Sequence, residues 1–150
     1  MLAILGLRIQ DSALGWVACE GLEQLSLTGT QVNGESLDAL RSLPGLRMLY
    51  LNDTQISDAT LGSLSDFPAL AELWISHNPI TDAGLDRLTT LPQLQTIAAS
   101  GTLISDQGLL RLNRFPALNA VWVIDCPHVS PAGLSAFQAA VPNVIVYRRF

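Results

Sequence analysis

The sequence contains no lysine, and its eight basic residues are all arginines. Against thirteen acidic residues they leave a formal net charge of -5 at pH 7. The arginines are scattered along the chain, and only Arg148 and Arg149 are adjacent. Proteins that bind nucleic acids usually cluster their basic residues and carry net positive charge. The composition therefore argues against a nucleic-acid partner.

Long apolar runs are also missing, although 49% of the 150 residues are hydrophobic. No segment approaches the ~20 consecutive apolar residues that a membrane-spanning helix needs. The apolar opening Met1–Leu7 has no positive charge before it and is followed by Arg8, Gln10 and Asp11, which is unlike a secretory signal peptide. We therefore predict a chain that has no membrane partner and is cytoplasmic.

What the sequence does contain is a repeat with a period of 24 residues. Its five copies open with an LxxLxL motif, in which Ile, Val or Ala replaces some leucines, at Leu22, Leu46, Leu70, Leu94 and Leu118. Such a period is typical of a solenoid, in which each unit has one short strand and one return segment and cannot bury its apolar face alone. We predict a single domain over 1–150, with an abbreviated first repeat at 1–21, five full repeats at 22–143 and a terminal strand at 144–150.

Each repeat predicts a strand, a corner and a short helix. Positions 4 and 6 of the motif should point into the core and positions 3, 5 and 7 to the opposite face, because strand side chains alternate. A small polar residue marks the corner. Pairs such as Ser57-Asp58 then predict a helix start, with a capping hydroxyl and a carboxylate that meets the positive end of the helix dipole. The fifth repeat has two extra residues, which we expect near Pro127-His128 and in Ala139-Ala140.

The combined pattern LxxLxLxxTxIxDxGLxxLxxLP is clearest at Ile80–Leu85 and Ile104–Leu109. It resembles the leucine-rich repeats of bacterial proteins, which are similar to the cysteine-containing repeats of F-box proteins and the ribonuclease-inhibitor-like superfamily. Cys126 stands where the F-box relatives have their cysteine. The resemblance implies an α/β leucine-rich repeat solenoid of about six repeats, with a curved parallel sheet on the concave side and short helices on the convex side. It also implies protein binding, no catalytic residue and no cofactor, and the absence of an F-box leaves a ubiquitin-ligase role unsupported.

The concave face is the predicted binding site, because its side chains have no role in the core. Large aromatic residues recur at position 5 of the motif, which reads Gly6, Ser26, Tyr50, Trp74, Ala98, Trp122 and Arg148. Trp and Tyr are enriched at binding hot spots. We predict that a protein partner contacts Met48, Tyr50, Asn52, Glu72, Trp74, His77 and Trp122. In the alternative interpretation, the aromatic rings stack on one another only to stabilise the sheet.

Catalysis and metal binding are not expected. Asp53 and His77 hold the same corner position in adjacent repeats, and Ser76 lies beside His77, but an open sheet offers neither a pocket that excludes water nor an oxyanion site. The other histidine, His128, is two repeats away, and no Cys or His pair has the spacing of metal ligands. Gly84 and its equivalents Gly108 and Gly133 predict close packing between repeats and not a phosphate loop.

The two cysteines, Cys19 and Cys126, fall about five strand steps apart in the predicted stack. At ~4.8 Å per step this separation is on the order of 20 Å, which is well beyond the ~7 Å limit for a disulfide. Two lone thiols suit a reducing compartment, although a free cysteine is also simply a small core residue.

The ends of the stack carry no recognisable cap. Leu2, Leu5 and Leu7 open it with the motif spacing, and Val144–Tyr147 closes it as a bare strand. Uncapped solenoid ends expose core residues and unpaired strand edges. We therefore expect a homodimer through the N-terminal edge. The alternative functions to a partner-binding module are a structural homo-oligomer assembled through its terminal strands and a fragment or subunit of a larger leucine-rich repeat protein.

Overall fold

The computed structural model describes residues 2–3, 21–32, 37–38, 40–89 and 91–148. Seven short parallel strands form one sheet in which the spatial order equals the chain order. They are β1 (Leu2–Ala3), β2 (Gln24–Ser26), β3 (Met48–Tyr50), β4 (Glu72–Trp74), β5 (Thr96–Ala98), β6 (Ala120–Trp122) and β7 (Ile145–Tyr147). From β2 to β6 each residue pairs with the equivalent residue of the next repeat. This architecture confirms the predicted α/β solenoid.

Short helical segments return the chain from one strand to the next. The α-helices described are α1 (Asp58–Leu61), α2 (Asp82–Arg87), α3 (Asp106–Arg111) and α4 (Pro131–Ala140), and 3-10 turns cover Leu40–Ser42, Gly62–Asp66 and Leu112–Arg114. Every one of these α-helices begins directly after a serine or threonine, as predicted. After the helical segments the chain turns at prolines such as Pro68 and Pro92, since proline cannot continue a helix.

The core lies between the sheet and the helices. At position 4 of the motif the side chains of Leu25, Leu49, Leu73, Ile97 and Val121 have no exposed surface. Leu51 and Ile75, at position 6, are equally buried. The predicted inward and outward assignment of the strand residues is therefore correct. Side chains on the face of the sheet opposite the helices, here called the concave face, do not form part of the hydrophobic core.

Polar residues at the corner satisfy the backbone inside the stack. The hydroxyl groups of Thr30, Thr54 and Thr102 donate hydrogen bonds to the carbonyl three residues earlier, at 2.5, 2.7 and 2.6 Å. The buried Asn78 makes more bonds than any of these threonines: its amide nitrogen donates to three carbonyls, and its oxygen accepts from the N–H groups of Thr54 and Ile56. These contacts confirm that the corner residues hold the turns together.

The helix starts are linked from one repeat to the next. The Asp82 carboxylate accepts hydrogen bonds from the backbone N–H and the hydroxyl of Ser105, at 2.8 and 2.6 Å. Asp58 and Asp106 bind the equivalent Thr81 and Ser130 in the same way. These carboxylates do stand in the first helical turn, as predicted, but their hydrogen bonds go to the next helix cap and tie neighbouring repeats together.

The glycines of the pattern lie directly against these carboxylates. A Cβ atom built on Gly108 would come within 2.7 Å of Cγ of Asp82, and one on Gly84 within 3.1 Å of Cγ of Asp58. Gly133 has the same relation to Asp106. The close approach predicted for the glycines is confirmed, and its cause is the carboxylate of the preceding repeat.

Two predicted registers are wrong. At the start, Leu2 and not Leu5 pairs with Leu25, so Ala3 and not Gly6 stands beside Ser26. At the end, Tyr147 and not Arg148 pairs with Trp122. The side chains of Leu2, Leu5 and Leu7, on which the predicted N-terminal dimer depends, lie outside the described residues, as does Cys19.

The second error has a clear origin in the fifth repeat. Its two extra residues are absorbed before Val144, which donates its N–H to Val141 just as Leu118 donates to Phe115. Ile145 then pairs directly with Ala120, so the segment between the buried Val144 and the strand is one residue shorter than in the earlier repeats. This shortening moves Tyr147 into the place predicted for Arg148.

Candidate functional site

A continuous row of four aromatic rings, the aromatic ladder, crosses the concave face. It consists of Tyr50, Trp74, Trp122 and Tyr147, which stand at the same position of strands β3, β4, β6 and β7. The ring centroids of Tyr50 and Trp74 are 5.7 Å apart, and those of Trp122 and Tyr147 are 3.8 Å apart with nearly parallel planes. The first three residues were predicted as a binding column, and the structure brings them together.

The two tryptophans meet above the intervening strand. Trp74 and Trp122 lie two strand steps apart, roughly 9.6 Å at the usual spacing, yet their ring centroids are 6.0 Å apart. Strand β5 contributes only Ala98 between them, and this alanine is 1% exposed. The rings therefore lean toward each other and cover Ala98, which a larger side chain at this position would prevent.

Tyr147 was not among the predicted site residues. It is 38% exposed and stacks on Trp122 at the edge of the sheet. The signal for it lay in the alternation of Val144, Ile145, Val146 and Tyr147, which places every second residue on the core side. Alignment of the strands by the 24-residue period did not identify Tyr147, because the fifth repeat is irregular in length.

The polar groups around the first half of the ladder have partners within the protein. Trp74 donates its Nε1–H to Oε2 of Glu72 at 3.3 Å, and the Tyr50 hydroxyl lies 3.8 Å from Sδ of Met48. Burial, and to a smaller extent the negative charge of Glu72, raises the pKa of the Tyr50 phenol above its ordinary value. Tyr50 is therefore a neutral O–H group at physiological pH, and the predicted site residues Met48 and Glu72 flank the rings directly.

Asn52 belongs to a row of side chains that supports the turns after the strands. Its Oδ1 accepts the N–H of Ser76 at 2.9 Å. The hydroxyl of Ser76 accepts the N–H of Ser100, and the hydroxyl of Ser100 accepts the N–H of Ile124. Asn52 is half-buried at the border of the concave face, so part of its hydrogen-bonding capacity is used in the fold.

His77 is exposed at the corner, away from the ladder. Its backbone has the left-handed φ of 58°, and its imidazole packs so closely on Gly101 that a Cβ atom there would lie 2.5 Å from Nδ1. Among the described residues no hydrogen bond or ion pair joins His77 to Asp53. The hydroxyl of Ser76 serves the backbone of the next turn, so the three residues do not form a nucleophile, base and acid arrangement.

Metal ligands are not assembled in the part of the chain that the structure describes, where no group of three His, Cys, Asp or Glu residues converges. Cys126 is buried and its thiol donates to the carbonyl of Ala99 at 3.2 Å. The thiol stands at the corner position of the threonines in other repeats, but it bonds a carbonyl of the preceding repeat and not the carbonyl three residues earlier. Within the same described ranges, no helix is long and apolar enough to cross a membrane.

A second concavity, which was not predicted, lies where the helices return to the strands. It is an open groove of about 530 Å³ lined by Leu91, Phe115 and the prolines of three repeats. The guanidinium group of Arg114 lies 5.1 Å from the centroid of the Phe115 ring and also donates to the carbonyls of Leu85 and Leu88 at the end of α2. The signal for this groove was the apolar residue that precedes each proline.

Comparisons with known proteins identify the architecture. A family model described as leucine rich repeat matches residues 20–80. The crystal structure of an internalin from Listeria monocytogenes superposes on 96% of this chain with a TM-score of 0.70 and 17% sequence identity. The chain spans 38% of the length of that internalin chain. No curated protein matches the sequence. The chain therefore has the leucine-rich repeat fold, and solenoids of this kind generally present extended concave surfaces for binding.

Proposed function

We propose that the chain is a non-enzymatic protein-interaction module that binds its partner on the concave face, around the aromatic ladder. The observation that carries the proposal is the ladder itself. Four aromatic residues stand on a surface that the core does not need, and Trp and Tyr are the residue types most enriched at binding hot spots.

Mutual packing of the rings supports binding as well as stability. Each aromatic pair contributes about 0.5 to 1.5 kcal/mol to folding, so the alternative interpretation explains part of the arrangement. Rings that are already held by their neighbours also lose little conformational freedom when a partner binds. The ladder is thus a preorganised surface, whereas isolated surface aromatics would have to be ordered on binding.

Alanine substitutions in the ladder test the proposal. We expect Trp74→Ala and Trp122→Ala each to cost a partner more than about 2 kcal/mol of binding free energy, as truncation of hot spots does. Affinity capture from the native cell with the wild-type chain identifies partners, and the double variant then serves as the comparison. Leu103→Ala is a matched control, because Leu103 is a large apolar residue that is 44% exposed but lies outside the ladder.

The result is interpretable only if the variants remain folded. Loss of two ring contacts should lower the stability of Trp74→Ala by about 1 to 3 kcal/mol, so thermal melts by circular dichroism must accompany the capture. Folded double variants that retain every partner at the wild-type yield would contradict the proposal. The cysteine-containing subtype, the cytoplasmic location and the homodimer through the N-terminal edge remain predictions.

A further inference from the structure

The two tryptophans of the ladder differ in whether the indole N–H has a hydrogen-bond partner within the protein. Trp74 donates its indole N–H to Glu72, which stands at position 3 of the same strand. In β6 the equivalent of Glu72 is Ala120, which has no acceptor. Within the described residues, Nε1–H of Trp122 donates to no protein group. Since that part of the chain holds no buried side-chain nitrogen or oxygen without a partner, the indole nitrogen of Trp122 is at least partly accessible to solvent.

The surroundings of Trp122 are apolar and offer few acceptors. Ala120 and Ile145 stand at position 3 of β6 and β7, and Ile145 is 58% exposed. Ile124, two residues after Trp122, is half-buried, and Tyr147 stacks on the Trp122 ring. This half of the concave face thus presents apolar side chains around two hydrogen-bond donors, the indole N–H of Trp122 and the hydroxyl of Tyr147.

Building on the proposed function, we propose that the ladder binds an extended proline-rich segment, one of whose main-chain carbonyls accepts the hydrogen bond from Nε1–H of Trp122. Proline carries an apolar ring and a carbonyl but no N–H. A polyproline II segment is therefore a ligand with acceptors and almost no donors, and aromatic-lined surfaces recognise such segments. The half of the ladder around Trp122 has the complementary chemistry.

The length of the ladder agrees with this ligand. Neighbouring ring centroids are 5.7, 6.0 and 3.8 Å apart, so the row from Tyr50 to Tyr147 is no longer than about 15.5 Å. A polyproline II helix rises ~3.1 Å per residue, so about five residues cover that distance. Two turns of the peptide thus span the whole row of rings.

Charge on the same face favours basic residues beside the prolines. Glu72 borders Trp74 on this face, and the exposed Asp53 and Asp125 add negative charge at the corner after strands β3 and β6, in the position that His77 holds after β4. Arg148 does not offset them there, because it lies behind the sheet with Leu134 and Val146. An arginine at either end of the segment therefore adds electrostatic attraction, which salt should weaken.

The probe is a capped octaproline peptide with one arginine at each end, titrated into ¹⁵N-labelled protein. We expect a saturable downfield shift of the Trp122 indole N–H signal and a much smaller shift of the Trp74 signal, with Trp122→Phe and Trp74→Phe used for assignment. Trp122→Phe keeps an aromatic ring but removes the donor, and should weaken binding about threefold to tenfold, as loss of one hydrogen bond does. Leu103→Ala, which lies outside the ladder, is the control and should change the affinity by less than about twofold.

A second variant keeps the test independent of the ring substitution. Ala120→Gln supplies an amide oxygen where Glu72 stands beside Trp74, without adding charge, and should occupy the Trp122 donor. We expect it to weaken peptide binding by a similar factor while the stacked ring of Tyr147 stays in place. Binding of the peptide to Trp122→Phe and Ala120→Gln with wild-type affinity, or no binding to the wild type, would overturn the inference.

A random peptide library displayed on phage separates this inference from the proposed function. If the octaproline peptide fails but selected peptides bind and lose affinity in the Trp74→Ala, Trp122→Ala double variant, the concave face is a binding site and the proline-rich assignment is wrong. If the selected peptides bind the double variant as well as the wild type, the proposed function is wrong too.

Discussion

Replacing Gly108 by alanine should destabilise the protein for a reason that lies in another repeat. Gly108 is buried in helix α3, where alanine is normally preferred to glycine by about 0.5 to 1 kcal/mol. A Cβ atom at this position would come within 2.7 Å of Cγ of Asp82. Because such a distance is not tolerated, the Asp82 carboxylate would have to turn away from Ser105.

The cost of that movement is set by the two hydrogen bonds that would be lost. The carboxylate accepts from the backbone N–H of Ser105 at 2.8 Å and from its hydroxyl at 2.6 Å. A hydrogen bond to a charged group contributes about 1.5 to 3 kcal/mol, and the lower end applies here because Asp82 is partly exposed. After subtraction of the helix-propensity gain, we expect Gly108→Ala to lower the unfolding free energy by about 1 to 3 kcal/mol.

A double-mutant cycle separates this cause from a general intolerance of alanine. Asp82→Ala alone should cost about 2 to 4 kcal/mol, since it removes both bonds. In the Asp82→Ala background the obstacle is gone, so Gly108→Ala should stabilise by about 0.5 to 1 kcal/mol. The sign of the glycine substitution is thus expected to invert, with a coupling energy of about 2 to 4 kcal/mol.

Urea unfolding followed by circular dichroism measures the wild type and the three variants, with the slope of the transition checked for constancy because repeat arrays can lose cooperativity. Gly133 and Asp106 provide an independent copy of the same pair. An equal loss of stability on Gly108→Ala in the presence and absence of Asp82 would refute the reasoning, because it would place the cause in the helix itself.

Substitutions at two further positions test the core and the corner. Leu73→Ala, at a fully buried position in the middle of the stack, should cost about 2 to 5 kcal/mol in a thermal or urea melt, and a loss below about 1 kcal/mol would show that the inward assignment is wrong. Asn78→Ala should cost about 3 to 5 kcal/mol, because it leaves several buried backbone groups unpaired. Asn78→Thr should cost less, since Thr54 and Thr102 make one of the same bonds from the same corner position; equal losses for both variants would argue against the hydrogen-bond explanation.

The parts of the fold that follow from a local period were predictable from the sequence. Strand alternation placed Leu73 inside and Trp74 outside, and the hydroxyl before each helix indicated where it would begin, because both features depend only on neighbouring residues. The hydrogen bonds that Ser105 donates to the Asp82 carboxylate were not predicted. They depend on how far one repeat is displaced from the next, which the spacing of apolar residues does not specify.

The same distinction applies to the candidate site. The column of Tyr50, Trp74 and Trp122 was predictable because it repeats with the strands. The tilt of the two tryptophan rings over Ala98 was not predictable. It depends on the small side chain of Ala98, which lets rings on strands β4 and β6 come into contact. The difference between the two indole N–H groups similarly depends on which residue accompanies each tryptophan on its own strand.

The irregular fifth repeat determines the composition of the concave face. If strand β7 were displaced from β6 by 26 residues, that is, by the full period plus both extra residues, Arg148 would stand beside Trp122. It would then place a positive charge at the end of the ladder. The shortened segment between Val144 and β7 instead brings Tyr147 into the stack and leaves Arg148 behind the sheet. A strand shifted by one residue exchanges its two faces, so this single-residue difference decides whether the last position of the face is aromatic or basic. The apolar, donor-bearing character of the surface around Trp122 therefore arises from a departure from the repeat as much as from the repeat itself.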